Sequence, residues 1–89
     1  MRTIQRNNDV AFRILDGEAV LLNPVDNQIH LLNEVATFIW ELLPEPKSED
    51  DILSAIREEF EVEYTQVLSD LQKYSDQLLE KDLIEVIAR

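Results

Sequence analysis

Gln28-Ile29-His30-Leu31-Leu32-Asn33-Glu34-Val35-Ala36-Thr37-Phe38-Ile39-Trp40 is the stretch that decides the fold of this chain. It starts as a short strand and ends as a helix. Asn33 stands at the change, where its side-chain oxygen can accept a hydrogen bond from a free N–H of the first helical turn. Beyond it Val35, Phe38, Ile39 and Leu42 fall at the spacing of one helix face. A β-ribbon that runs directly into helices predicts a small winged-helix-like module.

Working back towards the N-terminus, Val10, Phe12 and Ile14 alternate with Ala11 and Arg13, the period of a half-buried strand. Asp16-Gly17 follows and holds the only glycine. Asp-Gly suits a type I′ hairpin turn, in which both central residues need positive φ. Residues 19–23 are apolar on both faces, which fits a central strand. Pro24-Val25-Asp26-Asn27 makes a second turn, and residues 28–32 make the third strand of an antiparallel meander. The first and third strands are its edges.

Working forward, a first helix over residues 34–43 stops at Pro44-Glu45-Pro46, because proline cannot continue the hydrogen-bond ladder. Ser48-Glu49-Asp50-Asp51 reads as a capping-box start with acids in the first turn. Ile52, Leu53, Ile56 and Phe60 then mark the buried face of a second helix. After the connector Glu61-Val62-Glu63, a third helix spans residues 64–81. Val67, Leu68, Leu71, Tyr74, Leu78 and Leu79 form its wide apolar stripe. Residues 83–87 close the chain as a short extended tail. The expected fold class is α+β and winged helix-turn-helix-like: a three-stranded antiparallel β-meander followed by a three-helix bundle. Residues 1–89 form a single domain, too short for two cores.

Composition narrows the function. Eight basic residues against nineteen acidic ones leave a net charge of −11, so the average surface repels phosphate. The cations Arg2, Arg6, Arg13, Lys47, Arg57, Lys73, Lys81 and Arg89 are scattered among acids. Nucleic-acid binding is disfavoured, and a basic or apolar peptide is the better partner. Cysteine is absent, which removes disulfides and thiol chemistry and fits a reducing cytoplasm. No apolar run is long enough to span a membrane, and the N-terminal nine residues lack the apolar core of a signal peptide.

Catalysis finds no footing. Glu58, Glu59, Glu61 and Glu63 lack the spacing and the glycine of a calcium loop and read as solvated helix-end charge. His30 is the only histidine, so a metal site would need carboxylates for every other ligand. It reads as a spacer on its strand. Trp40 reads first as a core anchor on the first helix and second as a ligand contact. The 67–78 stripe is mostly core, with Tyr74 and Leu71 the best placed for a second role in walling a groove.

Several segments, taken in order, resemble the PqqD-like family of peptide-recognition modules. They are Val20-Leu21-Leu22-Asn23, Leu31-Leu32-Asn33 leading into the first helix, and Phe38-Ile39-Trp40-Glu41-Leu42. An acidic second helix with Ile52-Leu53 and Ile56 follows, then Leu78-Leu79-Glu80-Lys81-Asp82-Leu83-Ile84-Glu85. The resemblance covers roughly residues 8–86 and departs at Asp82, near which the family places glycine. It implies a non-enzymatic, cytoplasmic peptide chaperone with no cofactor. Such a module holds the leader of a ribosomally made precursor and presents it to a modifying enzyme. That client is implied to be a radical-SAM enzyme, with a leader peptidase or cyclase in related systems.

The resemblance also implies where the leader goes: it adds as an extra strand to the third β-strand and lies between that strand and the third helix. On this chain the edge is Gln28, Ile29, His30, Leu31, Leu32 and Asn33. The groove floor is Val67, Leu71, Tyr74 and Leu78, and Asp70 on the rim attracts basic leader residues. Two other classes of reading compete. A winged-helix transcriptional regulator would have to push Asp70, Asp76, Glu80 and Asp82 of its third helix into an anionic groove. An acidic adaptor would bind a basic protein and leave the strand edge free.

Overall fold

The computed structural model describes residues 2–24 and 26–87; Val25 of the second turn, Met1 and Arg89 lie outside them. The chain runs β1 (Thr3–Arg6), β2 (Ala11–Leu15), β3 (Glu18–Leu22), β4 (Ile29–Leu31), α1 (Glu34–Glu41), β5 (Lys47–Ser48), α2 (Glu49–Glu59), α3 (Tyr64–Glu80) and β6 (Ile84–Val86). Strands β2, β3 and β4 form the expected meander with β3 in the centre. Asp16 and Gly17 take φ of 53° and 81°, so the first turn is of type I′ and sets the register Leu15↔Glu18 through Ala11↔Leu22. That register places Phe12, Ile14, Ala19, Leu21 and His30 on one face of the sheet. Ala19 and Leu21 are fully buried there against the helices. The helices cover β3 more completely than β2. Phe12, expected to be half-buried, keeps 42% of its surface exposed and meets Trp40 edge-on at 5.7 Å.

A second sheet, in the order β5-β1-β6, was not legible in the sequence. The N-terminal residues pair with Lys47 and Ser48 on one side and with Ile84 to Val86 on the other. The extended tail thus becomes a strand and Ile4 is sealed into the core. Arg2 locks this sheet to α2. Its backbone N–H and Nε both donate to Glu49 Oε1 at 3.0 Å, and Nη2 donates to Asp76 at 3.0 Å. The hydrogen bond to Glu49 leads in raising the guanidinium pKa, so Arg2 stays charged.

Local chemistry places the helices. Asn33 Oδ1 accepts from the Ala36 N–H at 2.9 Å and Ser48 Oγ from the Asp51 N–H at 3.1 Å, so both predicted caps form. Thr37 is buried and stitches α1 to the meander: its hydroxyl accepts from the Ala19 N–H at 2.8 Å and donates to the Leu32 carbonyl at 3.3 Å. Trp40 is fully buried, with Ile39, Leu43, Ile52, Ile56, Leu71 and Leu83 around the same core.

Helix α3 ends just before Asp82. Leu83 N–H donates to the Leu78 carbonyl at 3.0 Å and Asp82 N–H to the Leu79 carbonyl at 3.1 Å. This is a Schellman motif with Asp82 at φ 58° in the position that favours glycine. Left-handed backbone costs an L-residue about 1–2 kcal/mol, offset by the extra ~0.4–1 kcal/mol of chain entropy that glycine loses on folding. Asp82→Gly is therefore expected to stabilise the domain by about 0.5–1 kcal/mol in urea denaturation. A neutral or destabilising result would remove the strain account of this turn.

Candidate functional site

Strand β4 is an edge of the meander, and the ladder tells which of its groups are free. Gln28 and Leu32 bond to β3, through Asn23 N–H to the Gln28 carbonyl at 3.2 Å and Leu32 N–H to the Ala19 carbonyl at 2.9 Å. His30 pairs with Leu21 between them. Antiparallel pairing alternates, so the N–H and C=O of Ile29 and Leu31 point away from β3 along the open edge. These are the groups an added strand would use.

Beside this edge runs a cavity of about 360 Å³. Its strand wall is Ile29 to Asn33. Its helix wall is Tyr74, Gln77, Leu78 and Lys81, at the spacing of one helix face, and Ala36 and Leu83 complete it. The groove has two distinct ends. At one, Asn33 Nδ2 donates to Tyr74 Oη at 2.6 Å, so the asparagine that caps α1 also ties β4 to α3. At the other, buried Asn23 donates from Nδ2 to the Lys81 carbonyl at 3.0 Å and holds the second turn against the end of α3. His30 lies in the groove with its side chain 10% exposed and its Nε2 without a hydrogen-bond partner. The nearest charge is Asp26, 3.9 Å from Nε2. A buried polar atom left unsatisfied in this way is uncommon.

The sequence-predicted residues separate into two groups. Ile29, His30, Leu31, Leu32, Asn33, Tyr74 and Leu78 line the cavity together, with Gln28 just beyond its end. Val67 and Leu71 are almost wholly buried in the core and do not line it, and Asp70 sits on α3 hydrogen-bonded to Gln66 at 3.0 Å. The apolar stripe of α3 is wide, and its N-terminal half faces the core while its C-terminal half reaches the groove. Gln77, Lys81, Leu83 and Ala36 went unmarked in the sequence. Gln77 and Lys81 follow Tyr74 at helical spacing and could have been found by extending that stripe through its polar positions.

Asp70, expected on the rim, is not among the residues that line the cavity. Among the described residues, Lys81 is the one lysine, arginine, aspartate or glutamate that lines the cavity, in a chain of net charge −11. The opposite face of the meander is unusual in another way. Leu15, Val20, Leu22, Ile29 and Leu31 share it by register, with Arg13 and Glu18 its charged residues. Ile29 is 67% and Leu31 76% exposed. The double-sided apolar pattern of β3 therefore has one side buried by the helices and one facing outward. Among the described residues there is no cluster of metal-ligating side chains and no helix long and apolar enough to cross a membrane.

Comparison with known proteins bears on the family and the fold. The family model described as coenzyme PQQ synthesis protein D (PqqD) matches residues 18–84, from β3 to the start of β6. The structure of TbiB1 in complex with the TbiA(beta) leader peptide is similar at a TM-score of 0.83 and 32% identity, covering 96% of this chain and 99% of that one. The lasso peptide synthetase B1 complexed with its leader peptide shares the fold at a TM-score of 0.77 and 23% identity, covering 92% and 96%. No curated protein matches the chain.

Proposed function

This chain belongs to the PqqD family, and from that premise we propose that it is a non-enzymatic peptide chaperone that binds the leader of a ribosomally made precursor by strand addition to β4. The observation that carries the reading is the open edge of Ile29 and Leu31 running beside a groove walled by Tyr74 and Leu78. Backbone bonds along the edge hold any extended peptide, each worth about 0.5–1.5 kcal/mol net. Alternate side chains dropping into the groove supply selectivity. The complex of TbiB1 with a leader peptide supports the same use of the fold here.

The bound leader is then presented to a modifying enzyme in the cytoplasm, with a radical-SAM enzyme as the client that the family suggests. The outward apolar face of the meander supports a protein client, because a patch of this kind on a highly charged domain is more stable covered than in water. Ile29 and Leu31 belong to both surfaces, so a leader strand beside them would extend the face offered to the client. Contact with DNA gains no support: Asp76 and Glu80 stand exposed on α3 and repel a phosphate backbone.

An NMR titration of the labelled protein with leaders from neighbouring short reading frames tests this. Shifts concentrated in residues 28–33 and in Tyr74, Gln77, Leu78 and Lys81 are expected, and addition of the neighbouring modifying enzyme should then broaden Val20, Leu22 and Ile29. Silence across all plausible leaders would remove the reading.

A further inference from the structure

The groove carries information about the peptide it takes. Its two ends are fixed by independent contacts, Asn33 to Tyr74 at one and Asn23 to the Lys81 carbonyl at the other. Lys81 lies seven positions after Tyr74, about 10 Å along the axis of α3 at ~1.5 Å per residue. An extended peptide covers that distance in about three residues at ~3.3 Å each, and its side chains face the groove at every second position. An inward residue against Tyr74 and Leu78 thus has its inward neighbour, two or four positions along, opposite Lys81.

Lys81 is exposed and lines the cavity, and among the described residues it forms no ion pair. Its acidic sequence neighbours Glu80 and Asp82 do not line the cavity. We propose that Lys81 is a specificity-determining residue that reads an aspartate or glutamate of the bound peptide, two or four positions from an apolar residue seated against Tyr74 and Leu78. This rests on the peptide-binding reading and adds a sign to it. The acidic body of the protein repels an acidic peptide at long range, so selection for the carboxylate is local, at the one cation the groove presents.

Display of a randomised 12-residue peptide library against the immobilised full chain, wild type and Lys81→Glu in parallel, tests the proposal. Lys81 is exposed and unpaired, and a thermal melt of the variant verifies that it folds. The wild type is expected to enrich Asp or Glu at one position two or four residues from an apolar one, and Lys81→Glu to enrich Lys or Arg at that same position. A synthetic wild-type-selected peptide should bind Lys81→Glu about three- to tenfold more weakly, the scale of a partly exposed charge pair. Enrichment of apolar-alternating peptides with no acid, or of the same acid by both proteins, would overturn the role of Lys81 while leaving strand addition standing. Failure of the wild type to enrich any extended motif would overturn the strand-addition reading and this proposal with it.

Discussion

Leu31→Pro is expected to weaken leader binding by about 10- to 2000-fold while the domain stays folded. The Leu31 N–H points out along the open edge of β4, since the bonds to β3 run through Gln28, His30 and Leu32. Proline at this position removes a donor that the isolated domain does not use. An added strand would lose one bond worth about 0.5–1.5 kcal/mol and leave a peptide carbonyl buried without a partner, a further ~1–3 kcal/mol. The control is one residue away. His30→Pro removes an N–H committed to Leu21, so the meander itself should fail, visible as lost β-structure in circular dichroism. Isothermal titration of Leu31→Pro with the leader decides the matter. Wild-type affinity in a folded Leu31→Pro protein would exclude β4 as the docking edge.

Trp40→Ala should be the most damaging single change to stability, by about 3–5 kcal/mol. Trp40 is fully buried, takes the edge of Phe12 at 5.7 Å, and lies under the Arg6 guanidinium at 5.4 Å. Its backbone carbonyl also accepts from Arg6 Nη1 at 3.3 Å, so the residue ties α1 to the N-terminal sheet. A domain of this size has roughly 5–15 kcal/mol in total, and each kcal/mol lost lowers the melting temperature by about 4–8 °C. Unfolding near ambient temperature is the expected result. Trp40→Phe separates volume from polarity. The indole Nε1 is buried with no hydrogen-bond partner, so phenylalanine removes an unsatisfied donor along with some packing. Its cost should be well under half that of alanine in chemical denaturation. Equal costs would mean that the indole N–H is satisfied after all.

Legibility in the sequence followed the range of the interactions. Asp16-Gly17, Asn33, Ser48 and the prolines at 44 and 46 act through groups within four residues of themselves, and each did what its chemistry requires. The second sheet was hidden because β5 has two residues and β6 three, too few for a period to show. Their common partner β1 lies some 40 to 80 positions away in the chain. Helix α3 is legible as an element, but the side on which its stripe leaves the core is not. Val67 and Leu71 have the same apolar character as Leu78, and nothing local distinguishes them.

The sequence by itself therefore determined the meander, the three helices, the caps of the first two and the family to which the chain belongs, since turns, caps and hydrophobic period are set by neighbouring residues. Only the tertiary structure decided what the groove contains. It put Tyr74, Gln77, Leu78 and Lys81 opposite β4 and withdrew Val67 and Leu71 into the core. Those outcomes depend on the rotation of α3 about its own axis, which is fixed by packing against α2 and β6 rather than by anything within the helix.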